Sequence, residues 1–170
     1  MLTESNTQKV LAFIFKYPTK GFTVRAIARA IKISPPTVSN ILEKLEKEGL
    51  VKIVEEEVQH KTYGNFESEY FRDLKRIYNI FSLYGLKHLL IQEFRPNAIV
   101  VYGAYARGED REDSDVDIYV DSTIRKGVNL KAFEKELARR IHLIVRSARE
   151  IPNELKRNLV NGVILYGVIE

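Results

Sequence analysis

Between Val24 and Leu45 the chain carries two runs of apolar residues at helical spacing with almost nothing between them, and no other feature limits its local fold as much. Val24, Ile27, Ala28 and Ile31 recur at i, i+3, i+4 and i+7, the spacing that lines one face of a short helix. Ile33-Ser34-Pro35-Pro36 follows at once. Ser34 is a good N-cap, and prolines are tolerated in a first turn whose N–H groups have no intrahelical partner. A further helix then repeats the pattern with Val38, Ile41, Leu42 and Leu45 and ends at Gly49 as its C′ residue. Its far side presents Thr37, Asn40 and Lys44 at i, i+3 and i+7.

Two short helices joined by a tight turn, the second with an apolar inner stripe and a small polar outer one, have the helix-turn-helix layout that lays a recognition helix in the major groove. An earlier helix is expected over Thr7 to Phe15, closed by Tyr17-Pro18 and the turn at Lys20-Gly21. After Gly49, the runs Leu50 to Val54 and Val58 to Tyr63 are strand-like and would form a hairpin, its turn lying either at Glu55 to Glu57 or at Gly64-Asn65. The stretch from Ser34 to Val51 resembles the recognition helix and wing start of winged helix-turn-helix transcription regulators, and that resemblance covers roughly the first 65 residues. It implies double-stranded DNA as partner, and a homodimer on a symmetric site. Arg25, Arg29, Lys32 and Lys44 would reach phosphates, Thr37, Ser39 and Asn40 base edges, and Ser34 opens the reading helix. Winged helices also serve as protein-interaction modules, and acidic Glu55 to Glu57 at a wing tip would repel a phosphate backbone.

Residues 66–95 read as a helical linker and dimer interface: one helix from Ser68 to Tyr84, another from Leu86 to Phe94, broken by Arg95-Pro96-Asn97. Phe71, Leu74, Tyr78 and Phe81 are expected to be core or dimer packing. Residues 1–65 and 96–170 are then the two domains, and the fold class is α+β: a winged helix followed by a small α/β unit with a mixed sheet.

The second domain opens on a fully apolar strand, Ala98 to Tyr102, that runs straight into Gly103-Ala104-Tyr105-Ala106-Arg107-Gly108. A strand, a glycine-led turn and a helix start expose N–H groups suited to a phosphate. In Ser114-Asp115-Val116-Asp117-Ile118-Tyr119-Val120 two carboxylates alternate with apolar residues. On one strand face their Cα atoms would stand about 6 to 7 Å apart, close enough for the oxygens to converge on metal ions. Paired carboxylates beside a phosphate-binding turn are what two-metal phosphoryl transfer requires, since Mg²⁺ takes hard oxygen ligands.

Gly103-Ala104, a gap of ten residues and Asp115-x-Asp117 resemble the signature of the nucleotidyltransferase superfamily that includes DNA polymerase β, in its minimal members. Ala106-Arg107-Gly108, Ser114 to Asp117 and the ending Asn161 to Gly167 are similar too, so the resemblance spans about residues 96 to 168. It implies an NTP and Mg²⁺ or Mn²⁺ as cofactors, Gly103, Ala104, Arg107 and Ser114 at the nucleotide, Asp115 and Asp117 at the metal, and Asp115, Asp117 and His142 in the catalytic positions.

Two departures weaken this chemistry. The family's serine is Ala104, and a hydrogen bond to a charged group is worth about 1.5 to 3 kcal/mol. Where the family has a third carboxylate, this chain has His142, whose neutral imidazole is a poor Mg²⁺ ligand and a fair Mn²⁺ or Zn²⁺ ligand. His142 is either a base or a strand residue with no catalytic role. Asp121 lies about 13 Å along the strand, too far for metals spaced about 3.5 to 4 Å; Asp113 is nearer. Glu109, Asp110 and Glu112 read as a solvated run.

Composition closes off other classes. There is no cysteine for a disulfide or thiolate site, and no apolar run long enough for a bilayer. The charge of +4 favours polyanionic partners without requiring them. The start lacks the pattern of a signal peptide, so a cytoplasmic protein is expected. The reading is a DNA-binding regulator whose nucleotidyltransferase-like domain is a weak or inactive enzyme. The alternative is an active transferase moving NMP from an NTP to a hydroxyl of a protein or nucleic acid, including an antitoxin-like role in a two-protein system.

Overall fold

The computed structural model describes residues 5–56 and 58–169. The chain divides into two compact units, the second beginning at Arg76.

In the first unit, helix α1 (Asn6–Lys16) starts at a reciprocal capping box between Ser5 and Gln8. Helix α2 (Val24–Ile31) is capped by the Thr23 hydroxyl, and it stops at Lys32 in the left-handed region. Helix α3 (Pro35–Lys47) is capped by Ser34 and carries its prolines in the first turn. It ends in a Schellman arrangement: the Leu50 N–H donates to the Leu45 carbonyl (2.8 Å) and the Gly49 N–H to that of Glu46 (2.9 Å). Gly49 holds the positive φ of +73° that this motif needs. Val38, Ile41, Leu42 and Leu45 are buried with Val10, Ile14, Ile27 and Leu50, each contributing roughly 1.5 to 3 kcal/mol of transfer free energy.

Strands β1 (Val51–Glu56) and β2 (Gln59–Gly64) form the hairpin, in antiparallel register from Val51↔Gly64 to Glu56↔Gln59. The turn therefore lies after Glu56, next to the first of the two expected positions; Glu57 is outside the described residues. Gly64-Asn65 ends β2 instead, where the Asn65 side chain donates to the Gly49 carbonyl (2.8 Å). A bridge from Phe22 to Thr62 adds a third short edge to the wing.

Helix α4 (Glu69–Ser82) is followed by α5 (Tyr84–Phe94), which stops at Arg95 in the left-handed region, one residue before Pro96. The expected stripe on α4 divides between core and surface. Phe71 is buried, but Phe81 is 76% exposed, and the buried positions are Phe71, Lys75 and Asn79. That spacing places a lysine and an asparagine inside as well as Phe71, and leaves Tyr70 and Phe81 exposed.

The second unit is built on a mixed four-stranded sheet of order β5-β4-β3-β6. Strands β3 (Ala98–Tyr102) and β4 (Val116–Asp121) are antiparallel, β6 (Val163–Gly167) pairs antiparallel with β3, and β5 (Ile141–Arg146) runs parallel to β4. The short helix α6 (Gly103–Arg107) follows β3, and α7 (Lys131–Leu137) precedes β5. One sheet face packs Ile99, Val101, Val116, Ile118 and Val120 against Leu86, Leu90 and Phe94 of α5. On the other, Val100, Tyr102 and Tyr119 meet Ile151 and the buried face of helix α8 (Asn153–Val160). The period of two along β3 and β4 sorts these residues to opposite sides. Among the described residues no helix is long and apolar enough to cross a membrane.

Candidate nucleotidyltransferase site and recognition helix

The α8 face of the sheet brings the candidate side chains of β4 and β5 together. Register puts Asp117 of β4 between Tyr102 of β3 and His142 of β5, side by side on the two central strands and the edge strand. His142 Nδ1 lies 3.0 Å from Asp117 Oδ1. Gly103 takes a φ of +73°, and a Cβ there would stand 2.5 Å from Asp117 Oδ2. Both oxygens of this carboxylate are thus set by neighbours, one by an imidazole and one by a turn with room for no side chain. Burial pushes the Tyr102 phenol above its ordinary pKa, and the adjacent Asp117 charge adds to this.

A groove of about 430 Å³ opens beside the pair, floored by Tyr102, Ile144 and Leu155 and rimmed by His142, Arg146 and Glu154. Asp117 and His142 are candidates from the sequence, whereas Tyr102, placed beside them by register, reads there only as the end of an apolar strand. Its alternation with Val100 was the available signal.

Asp115 lies just outside the strand that carries Asp117. β4 begins one residue later, where the Val116 N–H joins the Arg140 carbonyl (2.8 Å), and Asp115 stays exposed in the preceding loop. There it borders a depression with Lys135 and Arg140, whereas His142 lines the groove with Tyr102. The Ser114 hydroxyl accepts from the Arg111 N–H (2.9 Å) and closes that loop. Arg107 pairs with Glu109 through Nε at 2.7 Å on the surface, and Ala104 lies in the first turn of α6.

The solvated reading of the gap loop is corrected at Asp110. This carboxylate is buried, accepting from Asn79 (2.7 Å) and from Arg139 (3.2 Å), while Asn79 also donates to the Tyr105 carbonyl (2.9 Å). A buried charge requires such partners. They come from two stretches of chain about 30 residues away on either side, so no local pattern announced them.

Among the described residues no group of three or more His, Asp or Glu side chains is gathered to hold a metal. The donor set at β4 and β5 is a carboxylate already paired with an imidazole, which fits a hard, six-oxygen ion such as Mg²⁺ poorly.

In the first unit Arg25, Arg29, Lys32, Asn40 and Lys44 are exposed, while Thr37 and Ser39 are half-buried. At 100° per residue, Thr37, Asn40 and Lys44 follow one shoulder of α3, and Ser39 falls on the other beside Glu43 and Glu46. Ser34 is occupied as cap: its Oγ lies 2.7 Å from Thr37 Oγ1 and accepts from the Thr37 N–H. The Glu46 carboxylate accepts from the Ile53 N–H (3.1 Å) and ties α3 to the wing.

A winged helix-turn-helix module, a DNA-binding fold, thus precedes a minimal nucleotidyltransferase fold. The family models agree: residues 9–61 match the MarR family and residues 85–168 match polymerase beta, nucleotidyltransferase. The chain belongs to the nucleotidyltransferase family that also holds the protein adenylyltransferase MntA of Thermococcus cleftensis, to which it is 39% identical over 67 residues, covering 36% of this chain and 68% of that protein. Among solved structures, similarity extends to the homodimeric winged helix-turn-helix DNA-binding domain of a possible ArsR-family regulator from Mycobacterium bovis (22% identity, 52% of this chain, 75% of that one, TM-score 0.39). The Staphylococcus aureus regulator MepR bound to DNA is similar at 19% identity, over 52% of this chain and 75% of that one, with a TM-score of 0.39.

Proposed function

We propose that this protein is a DNA-binding transcription regulator whose nucleotidyltransferase domain transfers nucleotide weakly or not at all. The observation that carries the second half is the contact between His142 Nδ1 and Asp117 Oδ1 at 3.0 Å. An imidazole stands at the strand position where a third metal-binding carboxylate is expected, and it engages an oxygen that a metal would need. The exposed placement of Asp115, one residue ahead of β4, supports the same reading. Gly103, Ala104, Arg107 and Ser114 are the proposed nucleotide contacts, and Asp115 and Asp117 the proposed metal ligands. With Asp117 held by His142, these donors suit Mg²⁺ poorly.

On DNA, the protein acts as a homodimer. Arg25, Arg29, Lys32 and Lys44 contact phosphates, and Thr37 and Asn40 read bases, with Ser39 and Ser34 in the secondary positions their helix faces give them.

Incubation of the purified chain with labelled NTPs and Mg²⁺ or Mn²⁺ tests the catalytic half. Label transfer is expected to stay at background, and His142→Asp, which supplies an oxygen donor at that register position, is expected to raise Mg²⁺-dependent transfer at least about tenfold. Efficient transfer by the unaltered chain, lost in Asp117→Ala, sinks the reading. It would favour the second one, an active transferase onto a protein or nucleic-acid hydroxyl, which the relation to a protein adenylyltransferase supports.

A further inference from the structure

The strand that carries His142 has a property the nucleotide reading leaves unused. β5 is an edge strand, parallel to β4. The Arg140 carbonyl accepts from Val116 at 2.8 Å and the Arg146 carbonyl from Ser122 at 3.4 Å. In a parallel ladder alternate residues bond the neighbour, so 140, 142, 144 and 146 aim their N–H and C=O groups at β4. Ile141, Leu143 and Val145 aim theirs outward. The Ile141 N–H is taken by Glu134 Oε1 at 3.1 Å. The backbone groups of Leu143 and Val145 meet no partner among the described residues.

The same two side chains are half-buried against the core, which holds the edge extended. His142, Ile144 and Arg146 point to the other face and line the groove under α8. An unpaired strand edge is a template for another strand, and a groove along one face reads every second side chain of the strand that joins it.

We infer that the β5 edge binds an extended segment of a partner protein by strand addition, seating a Ser, Thr or Tyr hydroxyl at His142 and an apolar side chain two residues away over Ile144. The identity of the seated residue rests on the proposed reading of the Asp117–His142 pair. An added strand would lie about 4.7 to 4.9 Å from β5, with the side chain opposite His142 on the groove face. Nδ1 of His142 is engaged by Asp117 and His142 lines the groove, so Nε2 is the ring nitrogen left for an occupant. A hydroxyl both donates and accepts, so it satisfies Nε2 in either protonation state. The edge alternates donors with acceptors, as a peptide strand does, whereas a phosphate backbone offers acceptors alone. The groove also sets Glu154 against Arg146, which disfavours a polyanion.

The test uses the full chain without nucleotide or metal, so its failure is separate from any failure of transfer. An array of short synthetic peptides is screened, and the tightest binder is followed by amide hydrogen exchange. The array is expected to select Ser, Thr or Tyr two residues from Val, Ile or Leu. The bound peptide should slow exchange at Leu143 and Val145 about tenfold or more, while His142 and Ile144 are protected with or without it. Val145→Pro removes an outward N–H and no ladder bond, and should weaken binding about tenfold; if that variant unfolds, a semisynthetic N-methyl amide at Val145 replaces it. The inference is overturned if no peptide is selected, if other amides are protected, or if blocking Val145 changes nothing. Protection of the edge that rises with protein concentration alone would assign it to a second copy and overturn it equally.

Discussion

Gly103 controls more of the site than its size suggests. Its φ of +73° is one that a side chain resists, and the space a Cβ would fill holds Asp117 Oδ2. Gly103→Ala is therefore expected to cost about 1 to 2 kcal/mol of stability and to push Asp117 off its present rotamer. A drop in melting temperature together with changed chemical shifts at His142 would show both effects. Unchanged shifts would mean that the turn yields instead of the carboxylate. At this scale residue types and spacing were legible: Asp117, His142 and Gly103 were all visible as candidates. It did not disclose that His142 touches Asp117, because they lie 25 positions apart and meet only through the register of two parallel strands.

Among the elements, α3 is the one whose surface has a reading direction. Its apolar stripe, Val38, Ile41, Leu42 and Leu45, is buried, so the opposite side is fixed by helical geometry alone. Asn40 on that side is expected to specify bases, and Arg29 of α2 to hold phosphate. Asn40→Ala should then lose about 1 to 3 kcal/mol of discrimination between specific and random DNA, while Arg29→Ala weakens both and flattens the salt dependence by about one unit. Equal losses for both variants on both DNAs, measured by salt-dependent titration, would count against the assignment. Helical periodicity made α1, α2 and α3 readable to within a residue or two. The wing turn was not readable, because two turn-forming stretches competed, and pairing of Glu56 with Gln59 decided between them. On α4 the same periodicity marked Phe71, which the core buries, and Phe81, which is exposed within one chain.

Across the whole molecule, tyrosines report how the second unit is closed. Burial pushes the phenols of Tyr102, Tyr105 and Tyr119 above their ordinary value, with the Asp117 charge adding at Tyr102 and Asp121 at Tyr119. A group whose folded pKa lies above its unfolded one contributes stability that is complete below the unfolded value, near 10, and lost as pH rises through the folded one. Ultraviolet titration is thus expected to find these three tyrosines silent above pH 10 until the unit unfolds, with stability falling as the pH climbs. Ionisation of every tyrosine near its ordinary pKa in the folded protein would contradict the burial.

What the sequence determined by itself was whatever a short window encodes. Caps, helical and strand periods, the glycine-led turn and the spaced aspartates each arise from neighbours along the chain, and together they specified a winged helix and a nucleotidyltransferase fold. Tertiary structure alone decided which polar groups are partners. Asp110, read as solvated, is buried between Asn79 and Arg139, and Asp115 stays exposed just ahead of the strand that carries Asp117. The reason is physical: burial and pairing depend on strand order and register, and these are settled by the packing of the whole unit, not by any residue's neighbours in the chain.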